Sequence, residues 1–141
     1  MKKALSLISK IQENGNKFII EKLNNNGIKE LAPSHGDILA VLYFYGKSTM
    51  KEIADKIHRT KPTVTVLVDK LEKLEFVKRE HSEKDNRYTY VTLTQKGKNF
   101  RPIFENISNN LNEKMFKNIS DSDYEILEKL LNKILENIKK E

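Results

Sequence analysis

The chain has 141 residues, a formal net charge of +6, 33% charged residues and no cysteine. That length suits one packed core and is short of two, and without cysteine there are no disulfides, thiol redox switches or cysteine-rich zinc sites. The longest apolar run, residues 38–45, is far below the ~20 residues that span a bilayer, and Ser6, Ser9 and Lys10 interrupt the apolar stretch behind Met1-Lys2-Lys3, so neither membrane insertion nor a signal peptide is expected and the location expected is cytoplasmic.

In chain order, Leu5, Ile8, Ile11, Phe18, Ile19 and Leu23 lie near one face of a helix predicted over residues 5–23, with Asn24-Asn25-Asn26-Gly27 as its stop. A second helix is expected to open with Ser34 as N-cap and Asp37 reaching back from the third position. Residues 38–45 are apolar all round, which places this helix at the centre of the molecule, and Gly46 ends it. Thr49 followed by Glu52 marks the start of a third helix over residues 50–57, amphipathic through Met50, Ile53, Ala54 and Ile57. A turn over residues 58–61 leads into a fourth helix ending near residue 74, whose start at Thr60 or Lys61 accommodates Pro62 in the first turn. Val64, Leu67, Val68, Leu71 and Leu74 form its buried stripe, and Lys61, Pro62, Thr63, Thr65, Val66, Asp69, Lys70 and Lys73 face outward.

Two β-prone runs follow, residues 76–81 and 88–93, the second alternating Thr89, Val91 and Leu93 with Tyr88, Tyr90 and Thr92. Between them stands a polar tip, Ser82-Glu83-Lys84-Asp85-Asn86-Arg87. Thr94 caps a further helix running to about residue 118, in which Pro102 predicts a kink or an interrupted start. Ser120-Asp121-Ser122-Asp123 opens the last helix, with a wide apolar face of Leu127, Leu130, Leu131, Ile134, Leu135 and Ile138 and with Lys139-Lys140 beside its negative end.

This order defines a mainly α fold with a small antiparallel β-hairpin wing, a winged helix-turn-helix over residues 34–94 inside a single domain of residues 1–141. The apolar faces at the two ends exceed what one small winged domain covers. Residues 1–33 and 95–141 are therefore expected to form a helical dimerisation region, with a monomeric bundle as the alternative. Charge points the same way: residues 47–98 carry 13 Lys and Arg against 8 Asp and Glu, and the rest of the chain 13 against 12. A positive excess on the helix-turn-helix is the footprint of nucleic acid.

The outward residues of the fourth helix, Thr63, Thr65, Val66 and Lys61, suit base edges, thymine methyls and phosphates if its first half enters a major groove; they also suit an ordinary exposed face. Arg87, at the hairpin tip, can reach an adjacent minor groove with Asp85 fixing its direction, or the two can form a plain surface ion pair. In a twofold dimer two such helices meet successive major grooves, which calls for a palindromic double-stranded DNA operator.

The string Thr63-Val64-Thr65-Val66-Leu67-Val68-Asp69-Lys70-Leu71-Glu72-Lys73-Leu74, then Phe76-Val77-Lys78-Arg79, Asp85-Asn86-Arg87 and Val91-Thr92-Leu93-Thr94-Gln95-Lys96-Gly97, resembles the MarR family of bacterial transcription regulators. The resemblance implies a homodimer that represses transcription by covering promoter DNA, and a small-molecule ligand between the dimerisation helices and the winged part that changes the spacing of the reading heads. It assigns base-proximal roles to Lys61, Pro62, Thr63, Thr65 and Val66, with Lys70 beside them on the outward face, and wing roles to Asp85 and Arg87. Many members carry Arg where this chain has Val66 and Asn86. With fewer guanidinium groups, discrimination is expected either to be weaker or to lean on thymine methyls and DNA shape.

Phe18, Tyr43 and Tyr45 are candidates for lining a pocket for a small aromatic or phenolic effector, although aromatic residues on buried helices are commonly core. His35 reads as a helix-start residue and His58 and His81 as surface residues near DNA. None pairs locally with an acid at metal-ligand spacing, so no metal or cofactor is expected. No Gly-rich phosphate loop or nucleophile motif occurs, and no enzyme is expected. The alternative function is a winged-helix module for non-specific structural DNA binding or protein interaction, which would bind any duplex about equally.

Overall fold

Ile38 and Leu39, both without solvent exposure, lie on a helix that the other elements of the N-terminal part surround. The computed structural model describes residues 1–85 and 87–139; Asn86 and Lys140, which the sequence assigned to the polar tip and to the end of the last helix, lie outside the described residues. The elements run α1 (Ala4–Asn25), α2 (Pro33–Tyr45), β1 (Ser48–Thr49), α3 (Met50–Ile57), α4 (Lys61–Lys73), β2 (Val77–His81), β3 (Thr89–Leu93), α5 (Gln95–Met115) and α6 (Asp121–Lys139). They fall into two units, Met1–Ile107 and a second from Ser108 onward.

In the first unit, α2 packs with Ile53 of α3, Val64, Val68 and Leu71 of α4, Val77 of β2, Val91 of β3, and Phe100 and Ile107 of α5. Its central position follows from its sequence, since a helix apolar on every side has no face to give to water. Asp37 near its start and Phe44 and Tyr45 at its end are exposed. The start differs from the expected one. Ala32 occupies the cap position and Pro33 the first turn, so Ser34 lies inside the helix, and the Ala32 N–H donates to Nδ1 of His35 at 2.9 Å. Pro33 decides this, because its fixed φ and missing N–H fit the first helical position and place the cap one residue ahead. His35 thus takes the role expected of Asp37. Burial and the charge of Lys70 lower the His35 pKa, and an imidazole that accepts at Nδ1 is in its neutral form.

The sheet has a strand that the sequence reading missed. β1 is two residues long, too short to show a period, yet it pairs antiparallel with β3 (Ser48 opposite Val91, Thr49 opposite Tyr90) and gives the order β1-β3-β2. β2 and β3 pair from Val77 opposite Leu93 to His81 opposite Thr89. Val91 is fully buried, in line with the alternation expected of its strand.

Thr94 caps α5, accepting from the Gly97 N–H at 3.1 Å, and donates its hydroxyl to the Glu75 carbonyl at 2.5 Å. The helix continues through Pro102 without interruption and stops at Met115, not near residue 118. A proline removes one backbone donor, and here the turns around it are anchored by Phe100, edge-on to Phe76 at 5.4 Å, and by Ile103 against the core.

In the second unit, Ser120 caps α6 by accepting from the Asp123 N–H at 3.1 Å, and Phe116 meets Tyr124 edge to face at 4.8 Å. No residue of α6 is buried, and Leu127, Leu130, Leu131, Ile134, Leu135 and Ile138 all stand exposed. In the first unit Leu5, Leu7, Ile8 and Ile11 of α1 are likewise exposed, while Leu23 at its other end is buried. Among the described residues no helix is long and apolar enough to cross a membrane.

Candidate nucleic-acid interface

Thr49 and Glu52 close the start of α3 reciprocally: the Thr49 hydroxyl oxygen accepts from the Glu52 N–H at 3.1 Å, and the Thr49 N–H donates to Glu52 Oε1 at 3.3 Å. The helix ends at His58, which takes the left-handed conformation (φ 55°) and turns the chain sharply. Two residues later Thr60 caps α4, accepting from the Thr63 N–H at 3.4 Å, with Pro62 in the first turn. A left-handed stop followed at once by a new cap sets α3 and α4 at the angle of a helix-turn-helix.

Val64, Val68 and Leu71 are buried and Leu67 half-buried, so α4 sits on the core as its apolar stripe requires. Lys61, Pro62, Thr63, Val66, Asp69 and Lys70 are exposed on the opposite face. Val66 is 68% exposed, an unusual position for a branched apolar side chain on a well-packed helix. Thr65 departs from the outward placement expected of it. It is half-buried, and its hydroxyl donates to the Lys61 carbonyl at 2.9 Å. Position 65 lies between the buried and exposed faces of a 3.6-residue turn, which explains the intermediate exposure. The Thr60 and Thr63 hydroxyls are 2.9 Å apart and hydrogen-bond one another.

At the wing, the Asp85 carboxylate accepts from Nε and Nη2 of Arg87 at 3.0 and 2.7 Å and from the Arg87 backbone N–H at 3.0 Å. The Tyr88 N–H donates to the Asp85 carbonyl at 3.1 Å. Hydrogen bonds from Arg87 hold the Asp85 carboxyl below its ordinary pKa, and the same pair raises that of Arg87. The aspartate thus pairs with an exposed guanidinium at the hairpin tip, a geometry that fits both expectations, an oriented reader and a plain surface ion pair.

A third feature escaped the sequence reading. Arg79, in the middle of β2, places Nη2 at 2.6 Å from Asp69 Oδ1 and Nη1 at 2.7 Å from Glu72 Oε1. Both acceptors are on α4, so one guanidinium ties the wing to the outward helix. The available signal was weak: Arg79 shares a strand face with buried Val77, and Asp69 and Glu72 are spaced i, i+3 on one side of α4.

The aromatic trio is not assembled. Tyr43 is 8% exposed and donates its hydroxyl to the Gly97 carbonyl at 2.7 Å, with its ring 5.2 Å from that of Phe104. Tyr45, two positions on and 68% exposed, lies under Lys56 Nζ at 4.6 Å. Two residues along a helix are ~200° apart, so these rings cannot line one wall. Phe18 is half-buried on α1, with Lys22 Nζ 5.4 Å from its ring centre. His35 is buried at the start of α2, and His58 and His81 are exposed.

A second helix presented to solvent by a sharp turn, followed by a small sheet with an oriented guanidinium at its tip, defines the winged helix-turn-helix class of DNA-binding proteins. Residues 31–89 match the model of the MarR family. The chain is 36% identical over 107 residues to YfiV of Bacillus subtilis, an uncharacterized HTH-type transcriptional regulator, covering 74% of this chain and 67% of that protein. The chain belongs to the MarR family of transcriptional regulators. It is also 27% identical over 133 residues to the HTH-type transcriptional regulator MhqR of B. subtilis, covering 94% of this chain and 89% of that protein. An S. aureus MepR–DNA complex has the same fold, with a TM-score of 0.83 at 24% identity over 94% of this chain and 96% of that one.

Proposed function

We propose that this DNA-binding regulator is a repressor that binds a palindromic operator as a homodimer and is released by a small ligand. The observation that carries the reading is the joint presentation of the α4 face and the Arg87 tip, coupled through Arg79 to Asp69 and Glu72. Lys61, Pro62, Thr63 and Val66 face the bases, Thr65 adds its methyl group, Lys70 meets phosphate, and Arg87 with Asp85 enters the neighbouring minor groove. The S. aureus MepR structure that shares this fold is a DNA complex, which supports DNA as the partner.

Dimerisation has its own support. The apolar side chains of α1 and, separately, of α6 are exposed in the single chain, and a helix face of that kind marks a subunit contact. Residues 1–33 and 95–141 form the dimerisation part and residues 34–94 the reading part. A twofold pair reads two half-sites about one helical turn apart, which is what makes the operator palindromic. The protein works in the cytoplasm and is not an enzyme.

The effector is a small aromatic or phenolic molecule. Tyr45 is exposed on α2, whereas the Tyr43 hydroxyl is already committed to Gly97. To release DNA the ligand must prefer the incompetent spacing of the reading heads, because equal affinity for both spacings shifts nothing. Footprinting the full chain on the DNA upstream of its own gene tests the reading, with and without phenolic acids such as salicylate. A protected palindrome lost on adding the acid is expected. Uniform protection of any duplex would instead mean a structural DNA-binding module.

A further inference from the structure

We propose that α4 discriminates its operator chiefly through thymine methyl groups, with Val66 and Pro62 making the contacts. This deepens the operator-binding reading above and rests on it.

Base edges in a major groove are read by a short menu of side chains: Arg or Lys on guanine, Asn or Gln on adenine, Asp or Glu on cytosine, hydroxyls on several, and apolar groups on the thymine methyl. Taking α4 through that menu removes most of it. Lys61–Lys73 contains no Arg, Asn or Gln, so the bidentate readers of adenine are missing from the helix and guanine is left to its lysines alone, without the planar fork of a guanidinium. Asp69 and Glu72, the two possible cytosine readers, are both held by Arg79, at 2.6 and 2.7 Å. The Thr65 hydroxyl donates back to Lys61 at 2.9 Å, and Thr60 and Thr63 satisfy each other at 2.9 Å, leaving one free hydroxyl proton between them.

What remains outward is an exposed row at i, i+4, i+8: Pro62, Val66 and Lys70. Two apolar groups one turn apart precede a cation, with Lys61 at the other end. Lysines at the ends of such a row suit the phosphate backbones on the groove walls, and the apolar pair between them suits the only apolar group on the groove floor. Val66 also has two methyls on a stiff Cβ, so its contact surface is presented with little rotamer freedom to lose.

The test uses deoxyuridine, which differs from thymidine in the base only by lacking that methyl and keeps the O4 acceptor. A random duplex pool is selected with the full chain, and the enriched duplex is remade with deoxyuridine at each thymine in turn. Wild type is expected to lose about three- to fivefold in affinity at one or more thymines of each half-site, the size of one buried methyl. At one of these positions per half-site Val66→Ala should bind the thymine and uracil duplexes equally, and the shape-conserving Val66→Thr should lose most of the discrimination there. Indifference of wild type to deoxyuridine, or undiminished sensitivity in Val66→Ala at every position, overturns the proposal while leaving operator binding intact. A pool that yields no enriched sequence overturns the operator reading itself, and this proposal with it.

Discussion

The hydroxyl of Tyr43 in α2 donates a 2.7 Å hydrogen bond to the carbonyl oxygen of Gly97 in the first turn of α5. The same glycine allows the close approach from the other side, because a Cβ there would overlap the Phe76 carbonyl oxygen and press on Leu93 at 3.1 Å. Gly97→Ala is expected to destabilise the fold by about 2 kcal/mol or more, the scale of overpacking against atoms that cannot move. Tyr43→Phe, which removes only the hydroxyl, should cost about 1 kcal/mol. Urea unfolding of the two variants beside wild type measures both, and a neutral Gly97→Ala would contradict the close packing.

Tyr43 also makes stability depend on alkaline pH. Burial pushes its phenol up to about 12, against the ordinary 10.0. The folded chain therefore holds a proton that the unfolded chain releases once pH exceeds 10, so this contribution is complete below 10.0 and is lost between 10.0 and about 12. The gap in unfolding free energy between wild type and Tyr43→Phe should narrow across that interval.

Arg79→Gln releases two carboxylates on the face that approaches phosphate. Affinity should fall on the order of five- to tenfold for specific and random duplexes alike, as ~1 kcal/mol of added repulsion between partly solvated charges implies. The loss should shrink at high salt. Adding Asp69→Asn should restore part of the binding; no restoration would mean that Arg79 itself touches DNA.

Arg87 sits at the hairpin tip, exposed and paired with Asp85. Arg87→Ala should weaken operator binding and lower the slope of log K against log salt by about one if the guanidinium neutralises a phosphate. The melting temperature should stay unchanged. A large thermal loss would show that Arg87 supports the fold instead.

Leu131→Asp places a charge in the exposed apolar face of α6. Sedimentation should then show a monomer with normal helix content by circular dichroism, and high-affinity operator binding should disappear with the second half-site. A variant that remains dimeric with intact affinity would rule out this face as the contact.

Periodicity and punctuation alone determined where the helices lie. The i, i+3, i+4 stripes of α3 and α4 and the Thr49–Glu52 and Thr94 caps are local patterns, and each is realised within a residue or two, whereas of the face expected on β3 only Val91 is buried. Asp85 and Arg87 were legible for the same reason, being two residues apart. What depends on distant partners was not legible. β1 exists only because β3 supplies its hydrogen bonds, and the Tyr43 hydroxyl finds its acceptor 54 positions away. Arg79 closes on two carboxylates of α4 from another element. Side-chain polarity along a chain specifies which faces are buried, whereas the partner of a buried or half-buried polar group is decided only when packing brings the elements together and leaves it no water to turn to.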